Sequence, residues 1–316
     1  MKYPRVVQIY LDSICNLHCF FCYGDRDDVV KHQSFDMTTI DKLSKVISKA
    51  KVIPISAWGE PLLSPNLETV LERIYSLNNS NNLIAIVTNG TALSRRTTSL
   101  LNGHLADLSI SLNASTAETY KRDMGGDFNR TIEAIKEFMV SIHEPHKVSL
   151  HMVAHTGNYQ EIPGLIDLAA SLGISRVRVD QLMVTRKQDL EKSLLNVRDE
   201  YNSFVNLAIN NAECSGVDFT ARLFGKEHGR RQCRIPFTDA YVWVDGRMAP
   251  CCYNGNLFMG NINEASFEKI WRGEAYRELR NSPPSTCMSC PFTLPFDDYR
   301  VHLSPVFNEK EVMINA

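Results

Sequence analysis

The chain has 316 residues, with 34 basic against 36 acidic side chains and a formal charge of −2. That balance lacks the basic excess of a strong nucleic-acid binder, and no apolar run approaches the ~20 residues of a membrane span. Hydrophobic residues at 44% and charged ones at 22% describe a globular protein with room for one large domain and a small one. The N-terminus, MKYPRVVQIYLDS, holds one strand-length apolar stretch and no signal-peptide layout, so a cytoplasmic location is expected.

Short apolar runs then alternate with longer amphipathic ones. They predict strands over residues 6–11, 52–58, 84–88, 108–112, 148–153 and 177–181. Between them, Thr38 with Asp41 and Ser115 with Glu118 fit capping boxes, and Ser64-Pro65 fits an N-cap followed by proline at the first helical position. Six βα units in a row imply parallel strands with right-handed crossovers. The rhythm suits a partial (β/α)6 barrel and a doubly wound sheet alike. Residues 189–212 read as one long helix, with Cys214 just after it as an inert small side chain. From Arg230 onward strands are short and turns frequent, and residues 241–250 read as a hairpin turning at Asp245-Gly246.

The nine cysteines fall into an early and a late cluster. In a reducing compartment, cysteines at short fixed spacings bind metal more often than they form disulfides. Cys15, Cys19 and Cys22 form C-x3-C-x2-C, three thiolates on one loop, enough for three corners of a cubane cluster with the fourth iron open. A zinc site completed by His18 or a distant ligand is the alternative by spacing alone.

The early motif follows a strand and places the aromatic Phe21 directly before its last cysteine, so it resembles the signature of the radical S-adenosylmethionine (radical SAM) enzymes. The resemblance implies a partial (β/α)6 TIM-like barrel with chemistry at the C-terminal strand ends. It also implies a [4Fe–4S] cluster on Cys15, Cys19 and Cys22, whose free iron chelates the amino and carboxylate groups of SAM. The backbone around Phe21 and Tyr23 would then lie beside the adenine. Gly59, Glu60 and Pro61 match the family's Gly-Gly-Glu-like motif, with Trp58 in place of the first glycine, and Glu60 would accept the SAM ammonium. Ser111 and Asn113, on one face by strand alternation, would meet the ribose. The fifth strand's adenine-contacting motif is not evident in residues 153–158.

In the late cluster, Cys233 is followed by twelve residues, Gly246, four residues and Cys251, and Cys287 with Cys290 adds a C-x2-C pair. Zinc is the default ligand for such pairs. Behind a radical SAM motif the segment resembles the SPASM and twitch domains, small α+β units that carry auxiliary iron–sulfur clusters. Four ligands, Cys233, Cys251, Cys287 and Cys290, imply one auxiliary [4Fe–4S] cluster, with Cys252 the rival of Cys251. The expected domains are 1–224 (core) and 225–316 (auxiliary domain and tail). The implied chemistry takes an electron from a flavodoxin- or ferredoxin-type reductant, cleaves SAM to a 5′-deoxyadenosyl radical and abstracts hydrogen from substrate. A small sugar, cyclitol or amino sugar undergoing dehydrogenation or epimerisation is the first expectation, with Cys252 as hydrogen donor in the latter. A ribosomally made peptide is the second, and a non-enzymatic zinc-stabilised binding module a distant third. Neither nucleic acid nor membrane is an expected partner.

Overall fold

A computed structural model describes residues 2–22, 35–77, 83–227, 229–253 and 257–303. The core elements follow in order: β1 (Val6–Tyr10), α1 (Met37–Ile47), β2 (Val52–Ser56), α2 (Leu67–Leu77), β3 (Leu83–Thr88), α3 (Arg95–Leu101), β4 (Leu105–Ser111), α4 (Ala117–Met124), α5 (Phe128–Ser141), β5 (Val148–Ala154), α6 (Ile162–Ser171), β6 (Arg176–Gln181), α7 (Arg198–Ser215) and β7 (Asp218–Thr220). Then come α8 (Ile235–Thr238), β8 (Asp239–Val242), β9 (Arg247–Ala249), β10 (Gly260–Asn261), α9 (Phe267–Trp271), α10 (Glu274–Asn281), α11 (Ser285–Met288) and α12 (Tyr299–His302).

All six predicted strands are present, in one ten-stranded sheet of order β10-β9-β8-β1-β2-β3-β4-β5-β6-β7. From β8 to β7 every pairing is parallel, and β1 and β6 do not pair, so the barrel is open. β8 joins β1 in parallel, and β8–β9–β10 then run antiparallel as the expected hairpin and its continuation. The C-terminal region thus extends the core sheet. The expected boundary at 224/225 falls between β7 and α8.

Alternation along the strands divides the sheet into two faces. Val7, Ile9, Ile53, Ile55, Ile84, Ile86, Leu108, Ile110, Leu150, Met152, Val177 and Val179 are all at most 2% exposed and belong to the main apolar core. The other face is only half-buried and carries Gln8, Ser56, Ser109, Ser111, Ser149, His151 and Asp180. A polar inner face beside an apolar outer one is what a barrel lumen requires.

Local details depart from the sequence expectations where a better hydrogen-bond partner exists. Asp36, not Thr38, caps α1: its side chain accepts from the Thr38 amide at 2.9 Å and takes the Thr38 hydroxyl at 2.7 Å. Thr116 caps α4, its hydroxyl oxygen accepting from the Thr119 amide at 3.4 Å, while Ser115 and Thr116 both donate amide and hydroxyl to Glu161. α2 starts at Leu67, two residues beyond Pro65. The long helix begins only at Arg198; residues before it form short 3-10 turns over Lys187–Lys192 and Leu194–Asn196, and Cys214 lies within the last turn of α7.

α12 closes the far end. The Val184 amide bonds the His302 carbonyl at 2.7 Å, and Gln181 Nε2 donates to the Val301 carbonyl at 3.4 Å. His302 is fully buried between Phe224 and Phe296, with Nε2 2.8 Å from the Phe296 carbonyl. Burial lowers its pKa from 6.5 to about 3. Below pH 6.5 the unfolded chain takes up a proton that the folded chain refuses, so this stability is present above that pH and lost as pH falls toward 3. Between pH 7 and pH 5 the loss is expected to be about 2 kcal/mol. Urea midpoints at the two pH values should show it, and His302→Gln should remove that part; equal pH dependence of the two proteins would refute the assignment.

Candidate active site

The early cysteines lie on the loop that leaves β1, and two neighbouring strand ends grip this loop. The Trp58 amide donates to the Asp12 carbonyl at 2.9 Å and the Glu60 amide to the Ile14 carbonyl at 2.6 Å, continuing the β1–β2 ladder past both strands. Gly59 lies between these bonds, where a Cβ would overlap the carbonyl carbon and oxygen of Ile14. The end of β3 adds a second clamp. Asn89 Nδ2 reaches Asn16 Oδ1 at 3.1 Å and Cys15 Sγ at 3.8 Å, and the Asn16 amide group donates to the Thr91 hydroxyl at 3.0 Å.

Glu60 ties these ends together from inside. It is 1% exposed, and Oε1 accepts from the Leu62 amide (3.0 Å) and the Thr88 hydroxyl (2.7 Å), while Oε2 accepts from the Asn89 amide at 2.6 Å. Burial raises its pKa above the usual carboxylate value, against the lowering effect of those three donors, and the neighbouring charge of Asp12 raises it further. Pro61 follows as the buried first residue of a 3-10 turn over Pro61–Leu63. In Glu60→Gln one amide N–H must face a protein donor, so a loss of about 2–3 kcal/mol in stability is expected alongside weaker SAM binding. Chemical denaturation and SAM titration of the variant would measure both, and wild-type stability would contradict the bracing role.

On its other side the cysteine loop rests on the C-terminal turn of α4. The His18 amide donates to the Met124 carbonyl (3.0 Å) and the Phe20 amide to the Asp123 carbonyl (3.1 Å). Beneath lies a buried network that sequence reading missed. Asp123, 3% exposed, accepts a fork from Arg122 (2.8 and 2.8 Å) and lies 3.2 Å from His155 Nε2. His155 Nδ1 accepts from the Gly157 amide at 3.1 Å, so Nε2 carries the hydrogen toward Asp123. The Phe20 ring stands edge-on to His155 at 5.1 Å, and Phe21 packs on Phe20 at 5.1 Å. Asp123 and His155 come from separate βα units, and neither carries a local motif.

Ser111 ends β4, half-buried on the polar face beside His151 of β5. Strand alternation does not extend to Asn113, which has φ +57° and lies beyond the strand. Its side chain accepts from the Val153 amide at 2.7 Å, and Asn158 Nδ2 donates to its carbonyl at 3.1 Å. Tyr23 lies outside the described residues.

Cys15 and Cys22 are exposed and Cys19 is half-buried. Burial pushes the Cys19 thiol up to about 12, helped by Cys22, Cys15 and Asp123. The three thiols are electrostatic neighbours, yet among the described residues no three His, Cys, Asp or Glu side chains gather tightly enough to hold a single ion. The fit to a SAM-bound cluster rests on the donor set, three thiols on one exposed loop, and on Gly59, whose missing side chain lets β2 lie against it. The late cysteines are also neighbours: Cys233 raises Cys290, and Cys290 raises Cys252. Cys251 packs against a small cluster of Tyr10, Tyr241 and Ala249; beyond the effect of burial, Cys290 and Cys251 together raise the pKa of Tyr253. Trp58 stacks on Trp243 of the β8–β9 turn at 5.1 Å, and Tyr10 stacks on the same ring at 4.4 Å. The residue that departs from the glycine motif therefore joins the core to the C-terminal hairpin.

Residues 9–169 match the model of the radical SAM superfamily, and residues 233–291 that of the SPASM iron–sulfur cluster-binding domain. A probable GTP 3′,8-cyclase of Saccharolobus islandicus is 29% identical over 181 residues, 56% of this chain and 56% of that one. One from Methanococcus aeolicus is 25% identical over 186 residues, 58% of this chain and 61% of that one. The chain thus spans about half the length of the curated relatives it matches. Among solved structures, SAM-bound SuiB of Streptococcus suis shares 19% identity over 92% of this chain and 71% of its own, with a TM-score of 0.68. The SAM-bound enzyme anSMEcpe shares 17% identity over 95% of this chain and 84% of its own, with a TM-score of 0.70. These two likenesses establish the fold. Since the family model alone covers half of the sequence and includes the cysteine loop, the chain belongs to the radical SAM superfamily, with SAM and a [4Fe–4S] cluster as its cofactors and an auxiliary iron–sulfur-binding SPASM domain behind its core.

Proposed function

We propose that the chain abstracts hydrogen from a small polar metabolite such as a sugar, cyclitol or amino sugar, leading to dehydrogenation or epimerisation. The observation that carries this reading is the polar inner face of the sheet, where Ser109, Ser111, Ser149, His151 and Asp180 offer hydroxyl, imidazole and carboxylate groups to a hydroxylated substrate. His151 Nε2 lies 2.9 Å from Asp180 Oδ2, and Arg178 pairs with the same oxygen at 2.6 Å, which keeps the Asp180 carboxyl below its usual value despite burial. On this reading Cys15, Cys19 and Cys22 hold the SAM cluster in a core of residues 1–224. When bound, SAM and the cluster supply a 5′-deoxyadenosyl radical. The residues of the chain orient the cofactor and exclude water: Gly59, Glu60 and Pro61 shape the floor, Ser111 and Asn113 the ribose side, and Phe21 with Tyr23 the adenine side.

Within residues 225–316, Cys233, Cys251, Cys287 and Cys290 are the proposed ligands of one auxiliary cluster. The closeness of Cys252 to Cys290 makes it the competing fourth ligand. If Cys252 stays free, it is the proposed hydrogen donor for epimerisation. A flavodoxin- or ferredoxin-type reductant in the cytoplasm completes the scheme. A peptide substrate is the second reading, favoured by the fold shared with SuiB, solved with the precursor peptide SuiA, and with anSMEcpe, solved with the Cp18Cys peptide.

The test incubates anaerobically reconstituted protein, SAM and dithionite with panels of polyols, amino sugars and short peptides. A polyol or amino sugar that loses two mass units, or gains one solvent deuterium in D2O with inverted stereochemistry, is the expected result. A mass change confined to peptides would replace this reading with the second.

A further inference from the structure

Three aromatic rings stand together where β1, β2 and β8 end. Tyr10 closes β1, Trp58 lies two residues beyond β2, and Trp243 lies one residue beyond β8. Ile9, Ile55 and Val242 are fully buried in the main core, so alternation turns all three rings toward the barrel lumen. The rings are nearly parallel: Trp243 is 4.4 Å from Tyr10 and 5.1 Å from Trp58, with interplanar angles of 8° and 13°. Tyr10 is buried, but Trp58 and Trp243 keep part of their surface exposed. The Trp243 Nε1 hydrogen is buried with no acceptor among the described residues, a cost that a phenylalanine in the same stack would avoid. Packing alone does not account for an indole here.

The wall across the lumen has the opposite character. Ser111 pairs with His151 and His151 with Arg178, so these three side chains form one row over β4, β5 and β6. His151 Nε2 also meets Asp180 at 2.9 Å. The two walls face each other because the sheet curves round. Phe20, on the loop from β1, stands against His155 at the end of β5, and its carbonyl accepts from Arg186 beyond β6. Between the walls, Val87 of β3 is 54% exposed on the lumen side, so the space above it is open. One side of this space is flat and apolar; the other is lined with hydroxyl, imidazole and carboxylate groups.

We infer that Trp58 and Trp243 form a stacking platform for the face of a hydroxylated six-membered ring, a sugar or cyclitol, whose rim hydroxyls reach Ser111, His151 and Asp180. This deepens the small-metabolite reading of the same site and rests on it. In such a ring the C–H bonds make the faces apolar while the hydroxyls crowd the rim, which matches one flat wall and one polar wall. An open-chain polyol carries the same hydroxyls but holds no flat face, so the closed ring is what the platform selects. Location agrees with chemistry. Trp58 adjoins Gly59, which is pressed against Ile14 on the loop of the early cysteines. Trp58 and Trp243 also pack against the same small cluster as Cys251. A ring lying on the platform is thereby held between the two groups of thiols.

The test reads binding rather than turnover. Cluster-loaded protein with SAM and no reductant is offered scyllo-inositol, methyl β-D-glucopyranoside and open-chain sorbitol. Saturation-transfer NMR follows the C–H protons of each probe while the protein's aromatic protons are irradiated. Both rings should bind and receive saturation, and sorbitol should bind roughly 10-fold more weakly. Trp58→Leu should retain the wild-type iron content and bind both rings roughly 10-fold more weakly, with Trp58→Phe in between. Should the Leu variant fail to load its clusters, Trp58→Phe is judged against the wild type, and its smaller ring should cost affinity a few-fold. Unchanged ring affinity in these variants, equal binding of sorbitol, or no binding of either ring overturns the platform and leaves the small-metabolite reading to the turnover panel. If short peptides with an aromatic side chain bind in place of the rings, and do so through Trp58, the metabolite reading fails and the inference falls with it.

Discussion

Alanine at Cys15, Cys19 and Cys22 together is expected to abolish 5′-deoxyadenosine formation while leaving about half of the iron bound. Two cubane clusters would bring roughly eight irons per chain, and on the proposed assignment the early loop would supply the ligands of one of them. The fold offers a reason to expect the other to survive. The loop hangs on backbone bonds from Trp58, Glu60, His18 and Phe20, and none of these requires a thiol. Cys233 precedes β8 while Cys251, Cys287 and Cys290 follow β9, so the late cysteines belong to the region that adds to the sheet on the edge of β1 opposite β2. Iron analysis and chromatography of the SAM products check both halves. Continued SAM cleavage would remove these cysteines from the site, and loss of all iron would show that the two regions load as one unit.

Gly59→Ala is expected to be as damaging by a different route. The added methyl group would have to displace the Ile14 carbonyl, which accepts from Glu60 at 2.6 Å and begins the turn toward Cys15. Both partners are backbone, so no side-chain rotation relieves the overlap, and the strand end must separate from the loop. About 3 kcal/mol or more of stability should be lost, and SAM affinity should fall even where folded protein is recovered. Denaturation midpoints and SAM titration report the two effects. Ser56→Ala, three residues earlier at the end of β2, removes only a half-buried hydrogen bond from Gln8 and serves as a control with a small effect. Near-wild-type stability of Gly59→Ala would mean that the loop can yield at Ile14, and the argument for a glycine at this position would fail.

Much of the architecture was legible because it depends on short-range patterns. Short apolar runs marked six strands, and three cysteines on one loop, with an aromatic before the last, pointed to their chemistry through a family resemblance that spacing alone left open to zinc. Four features lay beyond that reach. The caps are Asp36 and Thr116, whose side-chain oxygens accept from the amides of Thr38 and Thr119, and Glu161, from a separate βα unit, holds both Ser115 and Thr116 in place. The stack of Tyr10, Trp58 and Trp243 depends on β8 adding to the β1 edge, a pairing between residues more than two hundred positions apart.

The Asp123–His155 pair under the loop joins two βα units, and no local pattern links them. Glu60 was found by motif, but the donors on its two oxygens, and the bare Oδ2 of Asp12 nearby, were not: a motif names a residue type, whereas occupancy of each oxygen depends on which donors the fold delivers. The sequence alone therefore determined the number and places of the core strands and, through a family resemblance, which three thiols are expected to carry its chemistry, since periodicity and spacing are local. Only the tertiary structure decided which carboxylate is spent and which is left bare, because hydrogen-bond satisfaction in a buried layer is settled by neighbours that the chain brings from afar.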